Sequence, residues 1–169
     1  MEKKVLKSLS FMLFLFCASS VAAQTTSGYS KNCKTNHITY QHGQMIFNTG
    51  QNTKTSVYIL HNIGKQTYTL DHRPQHPSAS AGWGSMLSPG HWSAISIKQA
   101  NFSMQCRSVS SSKIVDCKKV VNACEMSALP AWIEDTQGWL AENQSSLKEV
   151  LAAVQKRLWT QNDNSEKLF

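Results

Sequence analysis

Histidine is the residue type whose clustering in this chain most suggests chemistry. Every histidine lies between residues 37 and 91 of the 169-residue chain: His37, His42, His61, His72, His76 and His91. Neutral imidazole is a common metal ligand, so His72, His76 and His91 could hold copper or zinc in a loop. Pro74, however, prevents the helical spacing that many zinc motifs use for such a pair. The alternative is that these side chains lie on strand faces or on the surface without a metal.

Catalytic signatures are absent from the sequence pattern. Ser85 lies in the run Gly-Trp-Gly-Ser-Met at 82–86, but the order differs from the Gly-x-Ser-x-Gly of serine hydrolases. Carboxylates are few, and their spacing matches no recognisable catalytic pair. The sequence therefore favours a non-enzymatic protein that needs no cofactor.

Tryptophan is frequent for a domain of this size. The five tryptophans are Trp83, Trp92, Trp132, Trp139 and Trp159. An exposed indole ring can stack on a sugar or anchor a protein partner, whereas a buried one fills a core. We expect Trp92 and Trp139 to fill the sandwich core. Trp83, which is flanked by two glycines, is the candidate binding residue.

The first 23 residues have the pattern of a secretory signal peptide. Basic residues precede an apolar run at 9–16, and small residues at 21–23 precede Gln24. This run is too short to span a bilayer and no second one follows, so residues 24–169 are expected to be periplasmic or secreted, without a membrane span. The leader holds three lysines and one glutamate, so the net charge falls from +7 to +5 on its removal. The remaining basic residues are scattered, which disfavours nucleic acid as a partner.

Cysteines give the clearest covalent prediction. Four of them follow the leader, Cys33, Cys106, Cys117 and Cys124, and an even number in an exported chain favours two disulfides. Three connectivities are open. If a two-residue loop lies at 111–112, Cys106 faces Cys117 across a hairpin, which predicts a Cys106–Cys117 bridge and leaves Cys33 to pair with Cys124. Metal binding by these thiols is disfavoured because no Cys-x-x-Cys pair exists.

Short β-branched and aromatic runs, separated by turn residues, predict a mainly β fold. The expected hairpins join 55–62 to 66–71 around Gly64, the alternating strand at 102–107 to 114–121, and 37–40 to 44–48 around His42 and Gly43. A type II turn at 88–90 is expected to start a strand at 91–97, because proline and glycine occupy its two central positions.

The C-terminal residues change to helical periodicity. Ser146 and Glu149 have the spacing of a capping box, so a helix is expected to begin at Leu147 and to cover about 146–159. Its apolar residues recur on one narrow stripe, which favours packing on a sheet over membrane binding. We therefore expect a single domain at 24–169, mainly β: a disulfide-stabilised antiparallel β-sandwich with a C-terminal α-helix.

Four pieces of sequence carry a family resemblance. They are Leu-Ser-Pro-Gly-His-Trp-Ser-Ala at 87–94, Asn101-Phe102 with Cys106, the later pair Cys117 and Cys124, and Gly-Trp-Leu-Ala-Glu-Asn at 138–143 before the last helix. In these pieces the chain resembles EnhB-type enhanced-entry proteins, small secreted proteins of Legionella-like intracellular bacteria. The resemblance covers the chain from about residue 56 onward. It implies an exported, virulence-associated accessory factor linked to host-cell entry or intracellular survival, and it carries over no catalytic or ligand residue.

The functional expectation combines these points. We expect an exported, non-enzymatic accessory or binding protein of the cell envelope whose partner is another secreted or envelope protein. The alternative is a periplasmic copper- or zinc-binding protein that uses His72, His76 and His91.

Overall fold

The computed structural model describes residues 33–48, 55–72, 84–98, 101–126 and 138–166. The predicted leader at 1–23 lies outside these residues. In chain order the described elements are β1 (Cys33–Lys34), β2 (Ile38–Gln41), β3 (Gln44–Phe47), β4 (Ser56–Asn62), β5 (Tyr68–Asp71), β6 (Gly84–Leu87), β7 (Trp92–Ile97), β8 (Phe102–Ser108), β9 (Ile114–Val115), α1 (Cys117–Val120), β10 (Val121–Met126), β11 (Gly138–Gln144) and α2 (Leu147–Glu166).

The strands form two antiparallel sheets, which confirms the predicted sandwich. The first sheet has the order β1-β10-β4-β7-β11, and the second has the order β2-β3-β8-β5-β6, with β9 beside β8. As a result, β2 and β10 lie along one side of the sandwich, and β6 and β11 lie along the other. Neither described helix has the length and apolarity needed to cross a bilayer.

The core has two layers because β4 and β7 are buried on both faces. Between the sheets pack large side chains that include Phe47, Tyr58, Leu60, Ile95 and Phe102. Between the first sheet and α2 lies a second apolar layer, formed by Val57, Ile59, Trp92, Ala94, Cys124, Leu140, Ala141, Val150 and Val154. The continuous apolar runs in β4 and β7 therefore serve two layers, as is usual for strands covered on both sides.

The two expected core tryptophans belong to different layers. Trp92 is 9% exposed and lies in the layer beneath α2, whereas Trp139 is partly buried and packs against the core between the sheets. The sandwich-core expectation therefore agrees with the position of Trp139, whereas it is wrong for Trp92, which packs on the other face of the first sheet.

Turn chemistry predicted several elements well. His42 and Gly43 have φ angles of 51° and 77°, as a type I′ turn requires, and they join β2 to β3 with Gln41 opposite Gln44. Gly90 has a φ of 71°, and the N–H of His91 donates to the carbonyl of Ser88 at 3.0 Å, which confirms the type II turn before β7.

The hairpin predicted around Gly64 is wrong, because β4 and β5 belong to different sheets. Hydrogen bonds of the buried Asn62 side chain direct the chain from the first sheet to the second. Its amide donates to the carbonyls of Gln66 and Leu87, both at 2.8 Å, and its oxygen accepts from the N–H of Gly64. Gly64 serves close packing instead, since a Cβ there would lie 2.6 Å from the ring of Tyr68.

The predicted pairing register of Cys106 is also wrong, by two residues. Cys106 lies opposite Val115, because the N–H of Ser108 donates to the carbonyl of Lys113 and the loop is longer than two residues. The single strand predicted at 114–121 is interrupted by α1. Asp116 is the N-cap of this helix, and its side chain accepts a hydrogen bond from the N–H of Lys118. A shift of two residues keeps the same face inward.

The helix α2 begins at Leu147 as predicted, and the hydroxyl of Ser146 accepts the N–H of Glu149 at 3.3 Å. The Glu149 carboxylate bonds to Ser145 instead of completing the reciprocal capping box. Without glycine or proline to stop it, α2 continues to Glu166, beyond the expected end near 159. Val150 and Val154 face the first sheet, whereas Leu151, on the predicted stripe, is 39% exposed.

Candidate functional site

One side of the sandwich leaves backbone groups of β2 unpaired. The N–H of Asn48 donates to the carbonyl of His37 at 2.7 Å, and hydrogen-bonded pairs alternate along an antiparallel ladder. The backbone of Ile38 and Tyr40 therefore points away from β3. The N–H of Ile38 is satisfied by the carbonyl of Thr35 at 3.0 Å. The carbonyl of Ile38 and both backbone groups of Tyr40 have no hydrogen-bond partner among the described residues.

The neighbouring edge of the first sheet is open over a shorter length. The N–H of Ile63 donates to the carbonyl of Val120, so Val121, Ala123 and Glu125 point their backbone groups away from β4. Lys34 of β1 covers Glu125, and no residue of β1 lies opposite Ala123. The outer edge of β10 is therefore uncovered at Ala123.

A groove of about 420 Å³ lies between these two strand edges. We call it the edge groove, and its lining residues are Thr35, Ile38, Tyr40, Lys118, Asn122 and Ala123. The Tyr40 hydroxyl donates to the carbonyl of Val121 at 3.2 Å, a bond that joins β2 to β10 directly. Ile38 and Ala123 supply apolar surface, while Asn122 and Lys118 are exposed at its border. The site is therefore amphipathic, with backbone hydrogen-bonding groups along its length.

The electrostatics of the edge groove combine a neutral phenol with exposed ammonium groups. Burial, and to a lesser extent the negative charge of Asp116, raise the pKa of Tyr40 above its ordinary value of 10.0, so its hydroxyl remains a donor. Lys34, Lys118 and Lys119 are exposed and form no ion pair within the described residues. Of the three, Lys118 lines the groove and therefore offers positive charge to a ligand.

A polar cluster lies near the β1 end of the edge groove. His37 Nδ1 is 2.6 Å from Glu125 Oε2, and the Ser56 hydroxyl donates to Glu125 Oε1 at 2.8 Å. Serine, histidine and a carboxylate could suggest a hydrolase, but here both Ser56 and His37 bond to the carboxylate. A catalytic triad requires the serine to bond to the imidazole. We interpret the cluster as a clamp that joins the residue preceding β2 to β10.

Of the three histidines predicted to bind metal, the structure describes His72 and His91, and these two lie apart. His72 follows β5, is 9% exposed, stacks on Phe102 with ring centres 3.8 Å apart, and places Nδ1 2.9 Å from the Ser103 carbonyl. His91 precedes β7 at the opposite end of β5 and β6, with Nδ1 3.0 Å from the Pro89 carbonyl. His76 lies outside the described residues. Within the described ranges, no group of three or more histidine, cysteine or acidic side chains could hold a metal.

The predicted cysteine bridge is present between Cys106 and Cys117, with Cα atoms 5.3 Å apart. It ties α1 to β8. Cys124 is also disulfide-bonded, and the backbone of Cys33 lies on the strand beside it, opposite Met126. The Cys33–Cys124 pairing stays a prediction. Trp83, the predicted binding residue, lies outside the described residues.

Sequence reasoning did not identify the residues of the edge groove. The sequence pattern predicts a strand at 114–121 with Lys118 in its middle, although Asp116 before Cys117 is an N-cap signal for a helical turn. Tyr40 and Ala123 carry no sequence signal of this kind, because their role depends on which strands lack a neighbour.

Comparison with known proteins identifies no relative. The chain matches no family model, no curated protein and no solved structure. The geometry of the edge groove is therefore the basis for a functional conclusion.

Proposed function

We propose that this protein is an exported, non-enzymatic accessory protein of the cell envelope that binds another secreted or envelope protein through the edge groove. The observation that carries the proposal is the row of unpaired backbone groups on β2 beside an amphipathic groove. Backbone N–H and C=O groups are strong hydrogen-bonding groups, and an uncovered edge strand is a ready template for another chain.

The exported location rests on the leader pattern and on the disulfides. Disulfides persist in oxidising compartments, and the Cys106–Cys117 bond closes a buried link between two elements of the fold. The resemblance to EnhB-type proteins adds a role in host-cell invasion or intracellular survival. We place the protein in the periplasm or the culture medium on these grounds.

Site-specific photo-crosslinking in the producing cells tests the binding role. A photoreactive phenylalanine analogue at Asn122 lies in the edge groove, and the same analogue at Met86 lies on β6, at the other side of the sandwich. We expect a crosslinked adduct of defined mass from position 122 and none from position 86. Adducts from position 86 alone, or from neither position, would contradict the proposal.

N-terminal sequencing of the protein recovered from periplasm and medium tests export separately. We expect the chain to begin at Gln24 and to contain two disulfides. Recovery of the uncleaved chain in the cytoplasm, with free thiols, would contradict the proposed location.

A further inference from the structure

We propose that the edge groove binds an extended, acidic peptide segment, which adds to β2 as an antiparallel strand and places a carboxylate beside Lys118. This inference rests on the proposed function, because it names the partner's chemistry at the same site. Strand addition to an exposed sheet edge is a recurring mode of peptide recognition in which main-chain hydrogen bonds supply affinity and side-chain pockets supply specificity.

The choice of β2 over β10 follows from the available hydrogen-bonding groups. On β2 the N–H and carbonyl of Tyr40 and the carbonyl of Ile38 have no partner among the described residues and point to one side. On β10 the carbonyl of Val121 accepts the Tyr40 hydroxyl, and the N–H of Val121 donates to the carbonyl of Cys117. Among the described residues of β10, only Ala123 keeps outward backbone groups without a partner, so β2 offers more hydrogen-bonding groups to an added strand.

The side-chain requirement of the peptide follows from the pleat. A residue directly opposite Tyr40 shares its face of the sheet and would lie over the groove against Ile38 and Ala123. The residues before and after it would point to the outer face. A small or apolar side chain is therefore expected at the central position.

The acidic requirement follows from the charges that face the groove. Lys118 is exposed and lines the groove, and two carboxylates near it, Asp116 and Glu125, already accept hydrogen bonds from other groups. Asp116 accepts the N–H of Lys118, and Glu125 accepts bonds from Ser56 and His37. A carboxylate that arrives beside Lys118 therefore meets an ammonium group that forms no ion pair within the described residues. A second copy of this chain would instead bring the same lysines together, which disfavours self-association through β2.

Peptide selection provides the test. The oxidised protein is used to select from a phage-displayed library of random dodecapeptides, and the affinity of the selected peptides is measured by calorimetry. We expect enrichment of aspartate and glutamate and an alternating, extended pattern. Lys118→Gln should weaken binding about fivefold. The matched change Lys148→Gln, on the exposed surface of α2, should leave the affinity unchanged.

Backbone pairing is tested by changes in the protein and by changes in the selected peptide. Tyr40→Pro removes an outward N–H that β3 does not use and should weaken binding at least about tenfold, while Tyr40→Phe keeps the ladder and should bind within about twofold. Because Tyr40→Pro could unfold the hairpin, the selected peptide is also N-methylated at successive positions. We expect alternate positions to lose binding, since every second N–H of an added strand faces β2.

The outcomes separate the partner's chemistry from the proposed function. Selected peptides without acidic enrichment, or N-methylation without a period of two, would overturn the acidic-strand inference. Failure to select any peptide would also overturn it. In each of these three cases the crosslinks from Asn122 would still decide whether a protein partner binds the groove. Concentration-dependent dimerisation that Tyr40→Pro abolishes would assign the edge to self-association and overturn the inference.

Discussion

The two sides of the sandwich differ in the contacts that their edge strands make. On the side of β6 and β11, the Ser85 hydroxyl donates to Glu142 at 2.7 Å, and the N–H of Ser88 donates to the side chain of Asn143 at 2.7 Å. The pairing of β11 with β7 is also interrupted by shifts of register, which bend that edge away from regular pairing. On the side of β2 and β10, the Tyr40 hydroxyl makes the direct bond between the strands, and backbone groups beside it are unpaired.

The edge groove lies on the side of β2 and β10, which we call the open side, and the side of β6 and β11 is called the closed side. Proteins usually protect exposed strand edges, since uncovered edges promote association with other chains. Side-chain hydrogen bonds cross the closed side at Ser85 and Ser88 and the open side at His37 and Tyr40. We therefore expect the two sides to respond differently to substitution.

The largest effect is expected from the disulfide of Cys124 on the open side. If Cys124 pairs with Cys33, the bond closes the loop 33–124, and the chain-entropy relation gives a stabilisation of about 4 to 5 kcal/mol. Replacing both cysteines with alanine should lower the free energy of unfolding by that amount and free β1 from β10. Urea denaturation measures the loss, and non-reducing peptide mapping checks the pairing. A fragment that links Cys124 to any other cysteine would contradict the prediction.

The Cys106–Cys117 bond should contribute less because its loop is shorter. The two residues are 11 apart in sequence, and the same relation gives about 3 kcal/mol. The Cys106→Ala, Cys117→Ala double variant should fold and unfold at a lower urea concentration. A loss as large as that for the Cys33 and Cys124 pair would show that loop length does not set the order.

Loss of a polar contact should reduce the stability of the protein more on the closed side than on the open side. Ser85 is 6% exposed and donates to a carboxylate, so Ser85→Ala should destabilise the protein by about 1 to 2 kcal/mol. Tyr40→Phe removes a bond to a neutral carbonyl and should cost about 0.5 to 1 kcal/mol. Thermal denaturation of the two variants gives the comparison, and light scattering should show association only for Ser85→Ala. Equal losses, or association of Tyr40→Phe, would count against the distinction.

The smallest effect concerns His61 on β4, between the two sides. Its ring stacks on Trp92 with centres 3.8 Å apart, and burial lowers its pKa below the ordinary value of 6.5. The folded state therefore binds the proton less readily than the unfolded state. Its stabilising contribution is complete above about pH 6.5 and decreases as the pH falls below that value.

A His61→Phe variant keeps a ring against Trp92 but cannot titrate. The free energy of unfolding of the unmodified protein should fall more than that of the variant between about pH 7.5 and about pH 5.5. Urea denaturation at the two pH values measures this difference. Parallel pH dependence in both proteins would show that His61 is not the group responsible.

Local chemistry explains what the sequence predicted. The turns at His42–Gly43 and Pro89–Gly90 require particular φ angles, and the alternation in β8 requires one buried face. These features depend on residues close in sequence. The start of α2 at Leu147 is of the same kind, since it depends on the hydroxyl of Ser146.

The remaining features depend on contacts distant in sequence. Asn62 bonds to the carbonyl of Leu87, which directs β4 and β5 into different sheets and defeats the simplest interpretation of Gly64 as a hairpin turn. The edge groove depends on strand order, because Tyr40 and Ala123 become significant only when their strands lack neighbours. Strand order is not encoded in any single run of residues.

The two disulfides tether the walls of the edge groove unequally. Cys117 and Cys124 are both covalently bonded, so the segment between them, which carries Lys118 and Ala123, is held at each end. The opposite wall, the hairpin of β2 and β3, is held by hydrogen bonds and by packing. We expect any opening motion during peptide capture to occur in the hairpin, while the tethered wall keeps its shape and loses little entropy on binding.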